Sequence, residues 1–324
     1  SFGKFFTKEI LKNHNPRKII IYSRDELKQF EMRNEIQKKN DVKKMRFFIG
    51  DVRDQERLDN AFRGNKIDIV IHAAALKQVP TAEYNPFEVV KTNVIGAQNI
   101  INSCVKFKVK KVIALSTDKA ASPINLYGAT KLTSDKLFVS SNNYANPITK
   151  LSVVRYGNVL GSRGSVIPIF IKMSKTGKFN ITDKRMTRFS LSLEEGVNFV
   201  IKCLTWMWGG EIFVPKIPSY NILDVARAIN AKAKMNIIGI RPGEKLHEEM
   251  ISISDSFNTV ENSNFYAILP SNSFLDWTIK DYISKNKYLK YKKCKENFSY
   301  NSYQNKDYLS ITKLKKMINQ FQKQ

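Results

Sequence analysis

The sequence is poor in cysteine and has no long apolar run. Its three cysteines, Cys104, Cys203 and Cys294, are widely separated and odd in number, which argues against a disulfide framework and favours a reducing compartment. No stretch approaches the roughly 20 apolar residues that span a bilayer. We therefore expect a cytoplasmic protein without a membrane span.

Histidine is equally scarce. His14, His72 and His247 do not form a zinc-binding pattern, because His247 is followed by two glutamates without the second histidine of a His-Glu-x-x-His motif. No cysteine pair has the spacing of metal ligands either. The sequence predicts no metal site.

Acidic residues are few compared with basic ones. The 54 lysines and arginines against 29 aspartates and glutamates give a formal net charge of +25. Residues 284–324 contain eleven lysines against only Glu296 and Asp307. A basic face can bind nucleic acid, but most of the excess is lysine scattered along predicted solvent faces. We expect no specific nucleic-acid partner, and the positive field also attracts small anionic ligands.

Short apolar runs alternate with longer stretches of polar pattern. The runs lie at 18–22, 45–49, 67–71, 112–115 and 151–154. Each run is typical of a buried strand, and the stretches between them suit helices. Amphipathic helices are also predicted at the start of the chain and after Asp307. This alternation predicts an α/β fold with a doubly wound parallel sheet covered on both faces.

Two charged pairs follow the strand predicted at 112–115. Asp118 and Lys119 come first, and Tyr127 and Lys131 form a Tyr-x-x-x-Lys pair. In a helix capped by Asn125, Tyr127 and Lys131 lie one turn apart on the same face, so the ammonium favours the phenolate. Open α/β sheets bind ligands at the carboxyl ends of their strands. The segment therefore predicts a redox site, whereas two other Tyr-x-x-x-Lys matches near residue 290 lack this setting.

Several longer motifs resemble those of a known enzyme family. The chain reads Ser-Arg-Asp-Glu-Leu-Lys from Ser23, His-Ala-Ala-Ala-Leu-Lys from His72, Arg-Tyr-Gly-Asn from Arg155, Met-Thr-Arg-Phe from Met186 and Arg-Pro-Gly-Glu-Lys-Leu-His from Arg241. Together with 116–131, these motifs resemble the extended short-chain dehydrogenase/reductases. Within that family the chain looks most like the UDP-N-acetylglucosamine 4,6-dehydratases that invert C5, and the resemblance is closest from residue 1 to about 249.

The resemblance implies a two-part architecture. It places a Rossmann-like dinucleotide-binding domain at 1–160, with a returning segment at about 189–215. A smaller α/β substrate-binding part and a C-terminal tail would occupy 161–188 and 216–324. Homo-oligomers are also implied, because relatives form closed assemblies.

The implied reaction is a hydro-lyase reaction that opens the pseudaminic acid pathway. Its catalytic residues would be Thr117, Asp118, Lys119, Tyr127 and Lys131. Tyr127 takes the 4-hydroxyl proton of UDP-N-acetylglucosamine as C4 is oxidised, Lys119 removes the C5 proton, and Asp118 protonates the departing C6 hydroxyl. Lysine at 119, where relatives that retain C5 carry glutamate, implies inversion. A lysine base must be neutral, so we expect burial or nearby positive charge to lower the pKa of Lys119.

The expected cofactor is NADP, with NAD as the less favoured alternative. Ser23 and Arg24 suit a 2'-phosphate, whereas an acidic residue there would bind a 2'-hydroxyl, and Asp25 can cap the following helix. The resemblance implies that the cofactor-binding residues are Ser1, Phe2, Gly3, Ser23, Arg24, Lys28, Asp51, Val52, Ala73, Ala74, Ala75, Lys77, Thr92, Asn93, Ser116, Tyr127, Lys131, Tyr156 and Val159.

A second set of residues is implied to bind the nucleotide sugar. Arg241 can bind a diphosphate bidentately, and Glu244 can accept hydrogen bonds from ribose hydroxyls. Residues 163–167 would form one wall of the pocket. The implied substrate-binding residues are Lys77, Asn158, Val166, Ile167, Thr182, Met186, Thr187, Arg188, Arg241 and Glu244.

The glycine-rich phosphate turn of a dinucleotide-binding fold is nearly missing. Relatives read Gly-Gly-Thr-Gly-Ser-Phe-Gly at this turn, and only Ser1, Phe2 and Gly3 remain here, without the strand that precedes it. We interpret the sequence as part of a longer protein. Without that strand, the sheet would carry unpaired backbone groups at its centre and cofactor affinity would be impaired.

Other functions stay open on the residues alone. A nucleotide-sugar epimerase or reductase would share Tyr127 and Lys131 but would not need the Asp118–Lys119 pair. An inactive nucleotide-sugar-binding fragment or scaffold fits if the missing strand is genuine. A basic nucleic-acid-binding module is the third class, and DNA binding beyond that of the lysine-rich tail would identify it.

Overall fold

The structure is a computed structural model, which describes residues 2–36, 38–160, 165–271 and 275–322. The α-helices of this part are α1 (Phe2–Asn13), α2 (Glu26–Glu35), α3 (Lys39–Lys44), α4 (Gln55–Phe62), α5 (Val79–Tyr84), α6 (Pro86–Val90), α7 (Gly96–Lys106), α8 (Leu126–Ser140), α9 (Val166–Ser174), α10 (Leu193–Trp206), α11 (Ile222–Ile229), α12 (Ile253–Ser256), α13 (Ile279–Lys285) and α14 (Ile311–Gln322). A π-helical turn, Lys91–Ile95, joins α6 to α7.

The strands are mostly short. They are β1 (Ile19–Ser23), β2 (Met45–Ile49), β3 (Ile69–His72), β4 (Lys111–Thr117), β5 (Lys150–Tyr156), β6 (Asn158–Val159), β7 (Lys178–Ile181), β8 (Thr187–Leu191), β9 (Ile212–Pro215), β10 (Ser219–Asn221), β11 (Lys234–Ile237), β12 (Glu249–Ile251), β13 (Thr259–Glu261), β14 (Phe265–Ile268), β15 (Lys292–Lys293) and β16 (Tyr300–Asn301). The five strands predicted from apolar runs are all present, with ends shifted by three residues or fewer.

The main sheet has seven strands in the order β15-β13-β14-β9-β5-β4-β3. The four strands β3, β4, β5 and β9 run parallel, and β14, β13 and β15 add antiparallel pairs at one end. Helices α8 and α10 both pack against β4 and β5. Because helices cover these two strands, most of their residues are buried. The predicted doubly wound α/β fold is confirmed.

Strands β1 and β2 form a separate parallel pair, in register from Ile19 opposite Met45 to Ser23 opposite Ile49. Within the described residues, no strand pairs with the other edge of β1 or with the outer edge of β3. Both edges line one large cavity, together with Phe2 and Phe6 of α1. The interruption therefore lies where the sequence predicted unpaired backbone groups.

A second apolar core lies apart from the core of the main sheet. It joins α9, β7, α11 and α14 through side chains such as Phe179, Val225 and Leu314. Helix α14 begins at Ile311, later than Asp307 suggested, because 307–309 instead pair with β10: Ser219 N donates to Asp307 O and Leu309 N donates to Ser219 O, both at 2.8 Å. The domain boundaries remain a prediction.

Among the described helices, none is both long and apolar enough to cross a membrane.

Candidate active site

The predicted strand, turn and helix around 116–131 are present. Strand β4 ends at Thr117, a short turn follows, and α8 begins at Leu126. Asn125 caps α8 by accepting a hydrogen bond from Gly128 N at 2.8 Å. Tyr127 and Lys131 therefore lie one turn apart on a capped helix, and both side chains are buried.

A lysine held between two buried carboxylates lies at the start of this turn. Lys119 Nζ is 3.0 Å from Asp118 Oδ1 and 3.1 Å from Glu248 Oε1. Glu248 Oε1 is also 3.4 Å from Arg188 Nε. Glu248 was not predicted as a site residue, because in the sequence it belongs only to the incomplete zinc motif that begins at His247. Its position directly after the Arg-Pro-Gly-Glu-Lys-Leu-His motif was the available signal.

The protonation states in this cluster differ in part from those expected. Burial by itself would lower the pKa of Lys119, but the charges of Asp118 and Glu248 outweigh it and raise the pKa instead. The expected fall in the pKa of Lys119 is therefore wrong for the protein alone. Burial and the charge of Glu248 raise the pKa of Asp118, which favours the neutral acid. This direction suits a proton donor.

Tyr127 also departs from expectation. Burial raises the pKa of Tyr127 to about 12, and the charge of Lys119 and a hydrogen bond with the Thr117 hydroxyl oppose the rise. The group that most stabilises the phenolate is thus Lys119 rather than Lys131. Burial lowers the pKa of Lys131, against the opposing charge of Asp135. The phenol is consequently protonated at neutral pH until further positive charge enters the site.

A buried ion pair fixes the floor of the site. Asp135 lies on α8 one turn beyond Lys131, and its Oδ2 accepts hydrogen bonds from Ser116 Oγ at 2.8 Å and Arg155 Nη2 at 3.1 Å. Arg155 Nη1 in turn donates to Met250 O at 2.9 Å. The network ties β4, β5, α8 and β12 together beneath the catalytic side chains.

The site opens into a cavity of about 1870 Å³. Most of the predicted cofactor residues line it, namely Phe2, Gly3, Ser23, Arg24, Lys28, Asp51, Val52, Ala73, Ala74, Ala75, Lys77, Thr92, Ser116, Tyr127, Lys131, Tyr156 and Val159. Asn93 does not line the cavity, so its contact with the cofactor remains a prediction. Its amide instead binds Leu76 N at 2.8 Å and Leu76 O at 2.9 Å. Ser1 lies outside the described residues.

The cavity has features that fit a dinucleotide. Thr92, in the π-helical turn, presents a buried hydroxyl oxygen that has no hydrogen-bond partner, and π-helical turns occur frequently at functional sites. Asp25 caps α2 by accepting from Lys28 N at 2.9 Å, as predicted. The Arg24 guanidinium lies 3.3 Å from Asp51 Oδ2, and Arg53 also binds this carboxylate at 2.8 Å. A second anion would therefore compete with Asp51 for Arg24.

Most predicted substrate residues line the same cavity: Lys77, Asn158, Val166, Ile167, Thr182, Met186, Arg188, Arg241 and Glu244. Thr187 does not line the cavity, and its contact with the substrate remains a prediction. Its hydroxyl is 2.8 Å from His247 Nδ1 and 2.7 Å from Ser302 Oγ, because the alternation of β8 directs Thr187 and Arg188 to opposite faces. Arg163 and the rest of 161–164 lie outside the described residues.

The loop at 241–249 is joined to the catalytic turn at three further points. Asn125 Nδ2 donates to Gly243 O at 2.7 Å, Lys245 Nζ donates to Ala121 O at 2.5 Å, and Ser122 Oγ donates to Glu249 Oε2 at 2.6 Å. Arg241 and Glu244 are 3.9 Å apart on this loop, and Glu244 Oε2 is buried without a hydrogen-bond partner. The loop thus holds two polar groups at the rim of the cavity.

The described residues include no group of three or more histidine, cysteine or carboxylate side chains placed to bind a metal.

A doubly wound parallel sheet with a buried Tyr-x-x-x-Lys pair on the helix that follows strand β4 is typical of the class of short-chain dehydrogenase/reductases. A family model described as "Polysaccharide biosynthesis protein" matches residues 1–270. The chain therefore belongs to this family of extended short-chain dehydrogenase/reductases, and it is an enzyme of that class.

Individual relatives agree with this assignment. The chain is 56% identical, over 98% of its length and 94% of the relative, to a UDP-N-acetylglucosamine 4,6-dehydratase (inverting) of Campylobacter jejuni. It is 42% identical, over 83% of its length and 80% of the relative, to a UDP-glucose 4-epimerase of Rickettsia canadensis. A solved structure, Pen from Bacillus thuringiensis, superposes with a TM-score of 0.85 at 34% identity, covering 99% of this chain and 94% of that one.

Proposed function

We propose that the chain catalyses the 4,6-dehydration of UDP-N-acetylglucosamine with inversion at C5, using NADP. The product would be a UDP-2-acetamido-2,6-dideoxy-L-arabino-hexos-4-ulose, the first intermediate of a pseudaminic-acid-type sugar. Identity to the Campylobacter enzyme supports this proposal. The structural observation that carries it is Lys119 Nζ, held about 3 Å from both Asp118 and Glu248 at the wall of the cavity that also contains Tyr127.

Each residue has a defined proton to move. Tyr127 receives the proton of the sugar 4-hydroxyl as a phenolate, which the charge of Lys119 and of a bound oxidised nicotinamide would favour. A nicotinamide bound in the cavity supplies oxidation at C4 and reduction at C6, and its oxidised form adds positive charge. Once C4 is a ketone, the C5 proton is acidic enough for an amine to remove. Asp118 protonates the C6 hydroxyl as it departs.

Lys119 must be neutral to act as this base. The protein alone holds it as an ammonium, because Asp118 and Glu248 raise its pKa. We infer that the neutral amine arises only in the loaded site, where added positive charge opposes the two carboxylates. Because hydride transfer from C4 would remove the positive charge of the nicotinamide, Lys119 must release its proton before C4 is oxidised, whereas the C5 proton becomes acidic only afterwards.

The test incubates the protein with UDP-N-acetylglucosamine and identifies the product by NMR. We expect a 6-methyl 4-keto sugar with inverted C5. Tyr127→Phe and Lys119→Ala should each lower kcat by about 10²- to 10⁴-fold, and Lys119→Ala should leave cofactor binding intact. The matched controls are Tyr288→Phe and Lys292→Ala, which belong to a Tyr-x-x-x-Lys pair in an exposed segment outside the cavity. Full turnover by Lys119→Ala would remove this residue from the mechanism.

An epimerase is the second candidate, because the Rickettsia relative carries that name. An epimerase would invert C4, keep the C6 hydroxyl, and not need the acid-base pair at 118 and 119. The same NMR experiment separates the two, since only dehydration creates a methyl group at C6. We favour dehydration because Asp118 is buried, has a raised pKa and lies 3.0 Å from Lys119 Nζ.

The preference for NADP rests on Arg24. Its guanidinium lies at the end of β1 beside the cavity, and Asp25 is engaged in capping α2. Arg24→Ala should weaken NADPH binding by about tenfold or more and leave NADH binding within about twofold, measured by cofactor fluorescence. Equal losses for both cofactors would contradict the assignment of a 2'-phosphate to Arg24.

A further inference from the structure

Glu248 faces two cations from inside the protein. Its side chain is 3% exposed, and Oε1 lies 3.1 Å from Lys119 Nζ and 3.4 Å from Arg188 Nε. Arg188 is itself held in place, because its Nη1 donates to Thr187 O at 2.7 Å. A carboxylate between two fixed cations is in the best position to stay ionised.

Asp118 is in the opposite situation. Its side chain is fully buried, and Oδ1 accepts from Thr117 Oγ1 at 2.9 Å and contacts Lys119 at 3.0 Å. Its other oxygen, Oδ2, is buried without a partner, as is Oε2 of Glu248. An ionised carboxylate with an unsatisfied buried oxygen costs free energy, which a nearby cation offsets. Glu248 has two such cations, Lys119 and Arg188, whereas Asp118 has only Lys119, so Asp118 is the one of the two that holds a proton.

We propose that Glu248 stays ionised beside Lys119 and Arg188 and thereby keeps Asp118 protonated, ready to donate to the departing C6 hydroxyl. This inference rests on the proposed dehydration. Glu248 is a positioning residue here, since it acts through Lys119 and Asp118 rather than on the sugar.

The proton movements balance. The neutral Lys119 amine takes the C5 proton, and the electron pair of the C5–H bond forms a C5=C6 double bond. The C6–O bond breaks with its electrons on oxygen, and the O–H bond of Asp118 breaks to give that oxygen its proton, so that water leaves. Asp118 ends as a carboxylate beside the new Lys119 ammonium, while Glu248 keeps its charge throughout.

The surrounding groups agree with this distribution. The charge of Glu248 raises the pKa of Asp118, in addition to burial, whereas Lys119 and Arg188 lower the pKa of Glu248 against the effect of burial. The titratable and charged groups that act on these two carboxyl groups are Lys119, Tyr127, Arg188, Tyr220 and Lys245.

The first test is the pH profile of kcat in Glu248→Gln. Without the charge of Glu248, the pKa of Asp118 falls, so Asp118 loses its proton at lower pH. The basic limb of the profile should then move toward acid by about one pH unit or more, while KM changes by less than about threefold. A basic limb that does not move, whatever the loss in kcat, would overturn the proposal.

The matched control is Glu261→Gln. Glu261 is likewise a carboxylate between two cations, 2.6 Å from Lys216 Nζ and 3.3 Å from Lys292 Nζ, but it does not line the cavity. Its removal should leave the basic limb where it is in the wild type. Glu248→Asp retains the charge and should restore the wild-type limb at least in part.

A second measurement does not depend on activity or on the folding of a Glu248 variant. At neutral pH the wild type should show an infrared carbonyl band of a protonated carboxyl group that disappears in Asp118→Asn. Subtracting the two spectra isolates Asp118 from Glu211, another buried carboxyl whose pKa burial raises. Absence of this band from the wild type would refute the inference even if the protein dehydrates its sugar, and presence of the band without dehydration would refute the proposed function alone.

Discussion

Replacement of Asp135 by asparagine should destabilise the floor of the active site. The Asp135 and Arg155 side chains are 1% and 2% exposed and contact each other at 3.1 Å. The substitution preserves the shape of the side chain and removes its charge. It leaves the guanidinium of Arg155 buried with one remaining carboxylate, Asp255, at 3.7 Å.

The size of the effect follows from this geometry. Removing one member of a buried ion pair costs about 3–5 kcal/mol, and the distant Asp255 places this case near about 3 kcal/mol. A chain of 324 residues has an unfolding entropy of about 0.7 kcal/mol/K, so the melting temperature should fall by about 4 °C.

Differential scanning calorimetry measures this shift. Asp224→Asn is the control, because Asp224 forms an ion pair with Arg227 at 3.3 Å on the surface and should change the melting temperature by about 1 °C or less. The combined Asp135→Leu and Arg155→Met variant should recover most of the loss, since it buries no charge. An Asp135→Asn protein that melts within about 1 °C of the wild type would refute the reasoning.

Two further predictions concern the same region. Asn125→Ala removes the cap of α8 and the hydrogen bond to Gly243 O, so it should lower the unfolding free energy by about 2 kcal/mol and raise KM for the nucleotide sugar. The control Ser192→Ala removes the cap of α10 and should lower stability without changing KM. An unchanged KM in Asn125→Ala would contradict the role of the loop at 241–249 in substrate binding. Burial, together with the charge of Lys131, lowers the pKa of His72 to about 3. The unfolded chain therefore binds a proton below about pH 6.5 that the folded protein does not. Between pH 7 and pH 5, the unfolding free energy of the wild type, measured with denaturant, should fall by about 2 kcal/mol more than that of His72→Gln. Equal losses of unfolding free energy would show that His72 is not buried as a neutral ring.

The sequence predicted the scaffold of the site well, because its signals are local. Buried parallel strands are recognisable as continuous apolar runs, and β2 was predicted to its last residue. Asn125 as a cap of α8 and Asp25 as a cap of α2 follow from short-range backbone chemistry, which needs no knowledge of distant parts of the chain.

Contacts between segments that are distant in the sequence could not be predicted from local patterns. Glu248 is separated from Lys119 by more than one hundred residues, and only the fold brings the two together. The charges of Asp118 and Glu248 together raise the pKa of Lys119, which explains why burial alone suggested the wrong sign. Thr187 and Asn93 were assigned to ligands, whereas their polar groups are used by His247, Ser302 and the backbone of Leu76. The domain boundaries, the cytoplasmic location and the oligomeric state remain predictions.

Hydride transfer from C4 to C6 of the same sugar can be followed directly with one labelled atom. UDP-N-acetylglucosamine that carries deuterium at C4 is incubated with the protein in ordinary water, and the product is examined by NMR and mass spectrometry. We predict that the deuterium moves to the C6 methyl group and that C5 is inverted. Deuterium that stays at C4, or a product that keeps its C6 hydroxyl, would contradict the account.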